Sequence, residues 1–209
     1  MNKIIGITQR IDFNKSYNEK RDCLDLRWHK FLIKNNLLPL PLPNLEKKAA
    51  YNLINNIKLS GLILSGGNTL YSCSPNSKDA SLLRDQFEML LIDFAIKNNI
   101  PIIGVCRGMQ IINKYFNGKM IKIKNKIKNH KIKNLSDKYE LPKVVNSFHN
   151  WGIDFKSLSN DLVPIALDHN DNIEAFMHPK KKILGIMWHP ERDYPFNKNN
   201  LQLFKNIFS

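Results

Sequence analysis

The sequence predicts an α/β fold with a mostly parallel central sheet covered by helices on both faces. Three observations carry that expectation. Up to Gly118, short apolar runs of strand length alternate with longer stretches of helical period. Beyond it the runs become short and are separated by turn residues, as in strands joined by hairpins. No internal repeat and no long linker divides the chain, so residues 1–209 read as one domain. Strand–helix–strand repetition demands right-handed crossovers, and these put helices on both faces of a parallel sheet.

The elements follow in order. Lys3–Thr8 (KIIGIT) reads as a buried strand, and residues 19–35 read as a helix. LLPLPLP, from Leu37, is a strand whose prolines restrict it to a sheet edge. Residues 46–58 form a second helix, and residues 60–67 (SGLILSGG) a buried strand running into a glycine turn. Residues 79–98 are the clearest helix, with Leu83, Phe87, Leu90, Leu91 and Phe94 at three- and four-residue spacing. IPIIGVC, residues 100–106, is the next strand, and residues 107–117 the next helix. KVVNSF, LVPIAL, NIEAFM and KKILGIMW read as the later strands, and residues 201–208 as a closing helix.

With 209 residues the chain can bury a core without disulfides or metal. No apolar run approaches the roughly 20 residues of a membrane span, and MNKIIGITQR is too short in apolar core for a signal peptide. A soluble, cytoplasmic protein is expected. Three cysteines, Cys23, Cys73 and Cys106, make an odd count without a CxxC pair, which fits a reducing compartment and leaves no thiolate set for zinc. No metal and no cofactor is expected. The formal charge of +14 comes with abundant lysine, asparagine and isoleucine, the mark of a genome biased toward A and T. The densest basic stretch, residues 119–138, lacks the aromatics and arginines of a nucleic-acid interface. It reads as a strand or loop with a solvated basic face, and no nucleic acid or membrane partner is expected. Net positive potential would still steer a small anionic substrate.

The chemistry gathers in four places. GVCRG, residues 104–108, has the form of a nucleophile elbow with cysteine at its apex. A helix N-terminus beneath Cys106 favours a thiolate and offers N–H groups to an oxyanion. The same residues also fit a buried core cysteine, and the stretch alone leaves both open. GIMWHPER ends a strand on His189, with Glu191 two residues on. In an extended segment both would point to one side, so the carboxylate could hold the imidazole. The chain order Cys, His, acid differs from the Ser, acid, His of the serine hydrolases that use the same elbow. LILSGGN places Gly66 and Gly67 at a strand end, as an oxyanion turn or an ordinary loop. VVNSFHNWG carries Asn146, Ser147 and His149, as a substrate wall or a satisfied strand end.

Together LILSGGN, PIIGVCRGMQ, VNSFHNWGI, NIEAF and GIMWHPE resemble the class I glutamine amidotransferase-like family, within it the stand-alone γ-glutamyl hydrolases. The resemblance implies a flavodoxin-like three-layer sandwich and attack of Cys106 on a γ-glutamyl carbonyl to give a thioester. It implies His189 as acid–base and Glu191 as its orienter. Backbone N–H groups of Gly66, Gly67 and Arg107 would hold the oxyanion. Gln110, Asn146, Ser147 and His149 would line the glutamyl pocket.

The chain runs about eighteen residues past Glu191, so no synthase module and no obligate synthase partner is expected. LDLRWHKFL and LPLPLPN look closest to a branch tied to capsule sugars and phosphoramidates, which implies a small, nucleotide-linked γ-glutamyl substrate. In that reading Arg21, Arg27 and Trp28 would contact the leaving group; otherwise they belong to a packed helix with solvated arginines. Three alternatives stand beside it: a γ-glutamyl-aminobutyrate hydrolase, a glutaminase subunit of a separate synthase, and a basic nucleic-acid binder on a similar scaffold.

Overall fold

The computed structural model describes residues 3–123 and 129–209. Apolar segments build the middle of the sheet, buried at every position in three strands and from Ile5 onward in the first. β1 (Lys3–Thr8), β5 (Gly61–Leu64), β6 (Ile102–Val105) and β14 (Ile183–Ile186) lie parallel and adjacent, as strands covered on both faces must. β4 (Leu37–Leu42) pairs in parallel with β1 and forms the edge. Pro39 and Pro41 share one parity in β4, so both missing N–H groups fall on the side with no partner strand.

On the far side the sheet turns antiparallel through β13 (Ile173–Met177), β12 (Val163–Leu167) and β9 (Lys133–Asn134). The full order is β4-β1-β5-β6-β14-β13-β12-β9. Three small pairs lie outside it: β2 (Arg10–Asn14) with β3 (Glu19–Cys23), β7 (Ile121–Lys122) with β11 (Trp151–Gly152), and β8 (His130–Lys131) with β10 (Val144–Val145).

Helices cover both faces. On one, α1 (Arg27–Lys34) and α5 (Lys198–Phe208) pack Trp28, Phe31, Leu203 and Phe204 against Ile5, Ile63, Ile103 and Leu184. On the other, α2 (Lys47–Asn56), α3 (Leu82–Lys97) and α4 (Arg107–Tyr115) pack Ile54, Phe87, Leu91 and Ile112 against Leu62, Leu64 and Ile102. Alternating strand residues thus feed two separate cores, the three-layer arrangement expected. No helix among the described residues is long and apolar enough to cross a membrane.

One predicted helix differs from expectation. Residues 19–35 are not one helix: residues 19–23 form β3, and α1 starts only at Arg27. Glu19, Lys20, Arg21 and Asp22 are all exposed and offer no apolar face to a helix. Asn18, at φ +52°, turns the chain back so that β2 satisfies the backbone of β3. Helix becomes profitable where Trp28, Phe31 and Leu32 supply a buried stripe. In the basic stretch, Lys119, Lys122, Lys131, Lys133 and Lys138 are exposed, while residues 124–128 lie outside the described residues.

Phe204 joins the outer layer to the sheet. Its ring centroid lies 4.8 Å from Phe31, 6.3 Å from Trp28 and 6.2 Å from Phe208. Phe204→Ala should cost about 3–5 kcal/mol, read as a lower urea midpoint at unchanged slope.

Candidate active site

β6 delivers Cys106, and α4 starts at the next residue with no intervening loop. A turn this sharp requires Cys106 at φ +53°, ψ −105°, a conformation that costs a side-chain-bearing residue about 1–3 kcal/mol. The flanking glycines make it sterically feasible. A Cβ on Gly108 would lie 1.9 Å from the Leu64 carbonyl oxygen, and one on Gly104 would lie 2.4 Å from the Gly108 oxygen. α4 therefore rests directly on the backbone of β5. The Cys106 N–H donates to Ile186 O at 2.8 Å and ties the elbow to β14.

Beyond β14 the chain reaches His189 through Trp188, whose Nε1 donates to Asn200 Oδ1 at 3.0 Å. Asn146 brackets the His189 backbone. It accepts from the N–H at 2.8 Å and donates Nδ2 to the carbonyl at 2.8 Å, with a further bond to Asp193 at 3.1 Å. Pro190–Arg192 then form a 3-10 turn instead of the extended segment expected. Glu191 still reaches the ring, and His189 Nδ1–H donates to Glu191 Oε1 at 2.8 Å. That bond leaves Nε2 for the Cys106 side chain, to which it is hydrogen-bonded.

All three groups are buried, at 6% exposure for Cys106, 2% for His189 and 1% for Glu191. Burial works against the imidazolium of His189, but the Cys106 thiolate and the Glu191 carboxylate outweigh it and push its pKa up to about 9. At neutral pH the His189 ring therefore keeps its proton, a ready acid beside the Cys106 sulfur.

Gly66 fits into the remaining gap. A Cβ there would lie 2.5 Å from His189 Cε1, 3.3 Å from Nε2 and 3.4 Å from Cys106 Cβ. Gly67 follows at φ +82°, which favours glycine. The turn is anchored on β1, where the Ser65 N–H donates to Thr8 Oγ1 at 3.0 Å and the Ser65 hydroxyl to Thr8 O at 2.6 Å. The Arg107 backbone opens α4 beside the thiol, while its side chain runs beneath the site to Asp85 and Glu88.

Gln110 and His149 meet on one carbonyl. Gln110 Nε2 donates to Trp151 O at 2.9 Å and His149 Nδ1–H to the same oxygen at 3.0 Å. Burial pushes His149 down, so its ring is neutral. Its Nε2 lies 3.9 Å from Glu174 Oε1. Ser147 is buried in the same segment.

The residues expected at the leaving group separate. Trp28 lines the cleft but is buried against Phe31 and Phe204. Arg27 forks onto Asp25 at 2.6 Å and borders a neighbouring hollow with Asn146, Phe148 and Arg192. Arg21 is on strand β3, not on a helix; it pairs with Glu19 at 2.6 Å and does not border the cleft.

A cleft of about 180 Å³ reaches His189, Glu191, Gly66 and Gly67, though Cys106 itself does not line it. It is also lined by Arg10, Cys23, Leu24, Asp25, Ser65 and Arg192, none of which the sequence marked as site residues. Arg192 lies over the Phe148 ring at 4.3 Å, and that ring meets His189 edge-on at 5.7 Å. The guanidinium of Arg27 holds the Asp25 carboxyl down at about 2. Arg192 directly follows the triad acid and could have been suspected from that position. Arg10 had no such signal, because only the β2–β3 hairpin brings it over Gly67. Among the described residues no group of three His, Cys, Asp or Glu side chains could hold a metal.

The family described as glutamine amidotransferase class-I matches residues 10–207. A γ-glutamyl-CDP-amidate hydrolase of Campylobacter jejuni subsp. jejuni serotype O:2 is 40% identical over 208 residues, covering 98% of this chain and 97% of its own. A glutamine amidotransferase-like protein of Lactococcus lactis subsp. lactis is 30% identical over 82% of each chain. Among solved structures, a glutamine amidotransferase from Thermotoga maritima superposes at a TM-score of 0.67 over 99% of this chain and 84% of its own. At 18% identity it speaks to the fold alone.

The histidine can be observed directly. In an NMR titration His189 should stay imidazolium through neutral pH and lose its proton near pH 9. Replacing either neighbour of the ring, by Cys106→Ser or Glu191→Gln, should move the midpoint down toward the ordinary value near 6.5. A midpoint unmoved by both would rule out the ion-pair arrangement.

Proposed function

Since the chain belongs to the class I glutamine amidotransferase family, we propose that it is a cysteine-dependent hydrolase of a nucleotide-linked γ-glutamyl amide, γ-glutamyl-CDP-amidate. The reaction yields glutamate and cytidine diphosphoramidate. The observation that carries the chemistry is the alignment of Cys106, His189 Nε2 and Glu191 around the space left by Gly66. The substrate rests on the relative that matches nearly end to end, and residues 1–209 act as one catalytic domain.

The steps follow from the geometry. The Cys106 thiolate attacks the γ-carbonyl carbon, and the carbonyl π pair moves onto oxygen. Backbone N–H groups of the Gly66–Gly67 turn and of Arg107 hold that oxyanion, a contribution typically worth 10²–10³ in rate per donor. Collapse breaks the C–N bond, and His189 Nε2 gives its proton to the leaving nitrogen. Glutamate remains on sulfur as a thioester. Water then loses a proton to Nε2, attacks the thioester carbon and breaks the C–S bond. Thiolate and imidazolium are restored, and glutamate leaves. Glu191 holds the ring so that one nitrogen serves both steps.

The mouth suits an anionic leaving group. Arg10 and Arg192 flank the cleft, and Arg27 borders the hollow beside it. A diphosphate there would meet guanidinium forks suited to bidentate phosphate contact. The enzyme needs no synthase partner in this reading and works in the cytoplasm, where its three free thiols remain reduced.

Purified protein should release glutamate unaided, with kcat/KM highest for γ-glutamyl-CDP-amidate, then γ-glutamyl-aminobutyrate, then glutamine. Activity only with an added synthase would overturn independence, and equal ratios would overturn the substrate assignment. Cys106→Ala should lose at least three orders of magnitude on every substrate; a tenth of the activity remaining would exclude it as nucleophile.

Arg10→Met keeps the apolar stem over Gly67 but removes the charge. It should raise KM about tenfold for the nucleotide-linked substrate and leave glutamine kinetics unchanged.

A further inference from the structure

Helix α3 sends three charged side chains, Arg84, Asp85 and Glu88, into the interior, and the triad uses none of them. Arg84 is completely buried, and its guanidinium faces the outer side of the Ser65–Gly67 turn. It donates to three consecutive carbonyls: Ser65 O at 2.7 Å, Gly66 O at 3.2 Å and Gly67 O at 2.6 Å. Further bonds reach Ser65 Oγ at 3.1 Å and Asn68 Oδ1 at 3.0 Å, and Nε donates to Glu88 Oε1 at 3.0 Å. All five N–H groups of the side chain are therefore engaged.

Three carbonyls converging in a buried space repel one another and would each be costly unpaired. A cation between them is what makes this turn conformation stable. In a trans peptide the N–H points opposite to the C=O of the preceding residue. With the carbonyls of residues 65, 66 and 67 turned onto Arg84, the N–H groups of Gly66, Gly67 and Asn68 face away from it. His189 and Cys106 pack against Gly66, and Arg10 against Gly67, so this turn adjoins the reacting sulfur.

Glu88 joins this arrangement to the other half of the site. Its Oε1 accepts from Arg84 and, at 2.7 Å, from the Thr8 hydroxyl. Its Oε2 pairs closely with Arg107 Nη1, and Arg107 Nη2 meets Asp85 at 2.5 Å. Arg107 is the residue after Cys106, so a single buried carboxylate links both sources of oxyanion N–H groups. The two arginines and two acids neutralise one another, as a buried cluster requires.

We propose that Arg84 and Glu88 are positioning residues for the oxyanion hole, with Arg84 setting which way the Ser65–Gly67 peptides face and Glu88 locking that turn to the nucleophile elbow. This rests on the γ-glutamyl hydrolase reading above. A lysine could not replace Arg84, because one ammonium cannot span three carbonyls and a carboxylate in this fork.

The test is a kcat-against-KM split in Arg84→Lys and Glu88→Gln, with active sites counted by a γ-glutamyl chloroketone and folding checked by circular dichroism. Both variants should lose about 10²–10³ in kcat per active site at a KM within threefold of wild type. Affinity for glutamate γ-semialdehyde, which adds to the thiol and forms a tetrahedral oxyanion, should fall in parallel. A purely structural role would lower the melting temperature and the number of active sites but leave kcat per site intact, and that result overturns the proposal. If neither variant folds, Thr8→Val removes one neutral hydroxyl from Glu88 and Ser65. It should cost about tenfold in kcat alone, and an unchanged kcat would equally overturn the proposal. Wild-type protein that releases no glutamate defeats the hydrolase reading and this inference together. Active wild type with unaffected variants defeats this inference only.

Discussion

The contact on which the rest of the site depends is between two backbones, that of α4 at Gly108 and that of β5 at Leu64. Only the absence of a Cβ lets them approach, since one built on Gly108 would overlap the Leu64 carbonyl at 1.9 Å. With α4 this low on the sheet, the chain has no room for a loop between β6 and the helix. Cys106 must absorb the whole change of direction at a positive φ. The strain is stored at the thiol-bearing residue, and the packing of α4 on Leu64 and Ile102 through Ile112 holds the helix that enforces it.

Two buried ionic groups lie on opposite sides of the Ser65–Gly67 turn. On one side Cys106, His189 and Glu191 form a hydrogen-bonded chain, and the two neighbours of the ring push the His189 pKa up to about 9. On the other, Arg84, Asp85, Glu88 and Arg107 form a neutral quartet inside α3 and α4. Burial opposes charge in both, lowering Arg84 to about 10 even with acids beside it. Such clusters stabilise a fold poorly compared with apolar packing. Their presence at this turn is better explained by the orientation they impose than by stability.

The mouth of the cleft is built differently, from side chains with part of their surface in water. The β2–β3 hairpin lays Arg10 across Gly67, and the 3-10 turn after His189 aims Arg192 over Phe148. These groups can rearrange around an incoming anion at little cost, whereas the triad cannot.

Local residue patterns determined much of this protein. The buried strands, the prolines of the edge strand and the elbow glycines follow from spacing and from the needs of single residues. The pairing of His189 with Glu191 is expected from the sequence, although a 3-10 turn, not an extended segment, makes it. The likeness of GVCRGMQ and WHPE to the class I glutamine amidotransferases added the reaction. Tertiary structure decided what no local signal encodes. Residues 19–23 became a strand because β2 offered backbone partners to a segment without an apolar face. Arg84 and Glu88 stand four apart on a helix, the same pattern as a solvent-exposed ion pair, and only the docking of α3 beside Ser65 put them inside. Whether a charged side chain meets water or three carbonyls depends on what packs against its helix, and that partner lies about twenty residues away in the sequence and in contact only once the sheet has formed.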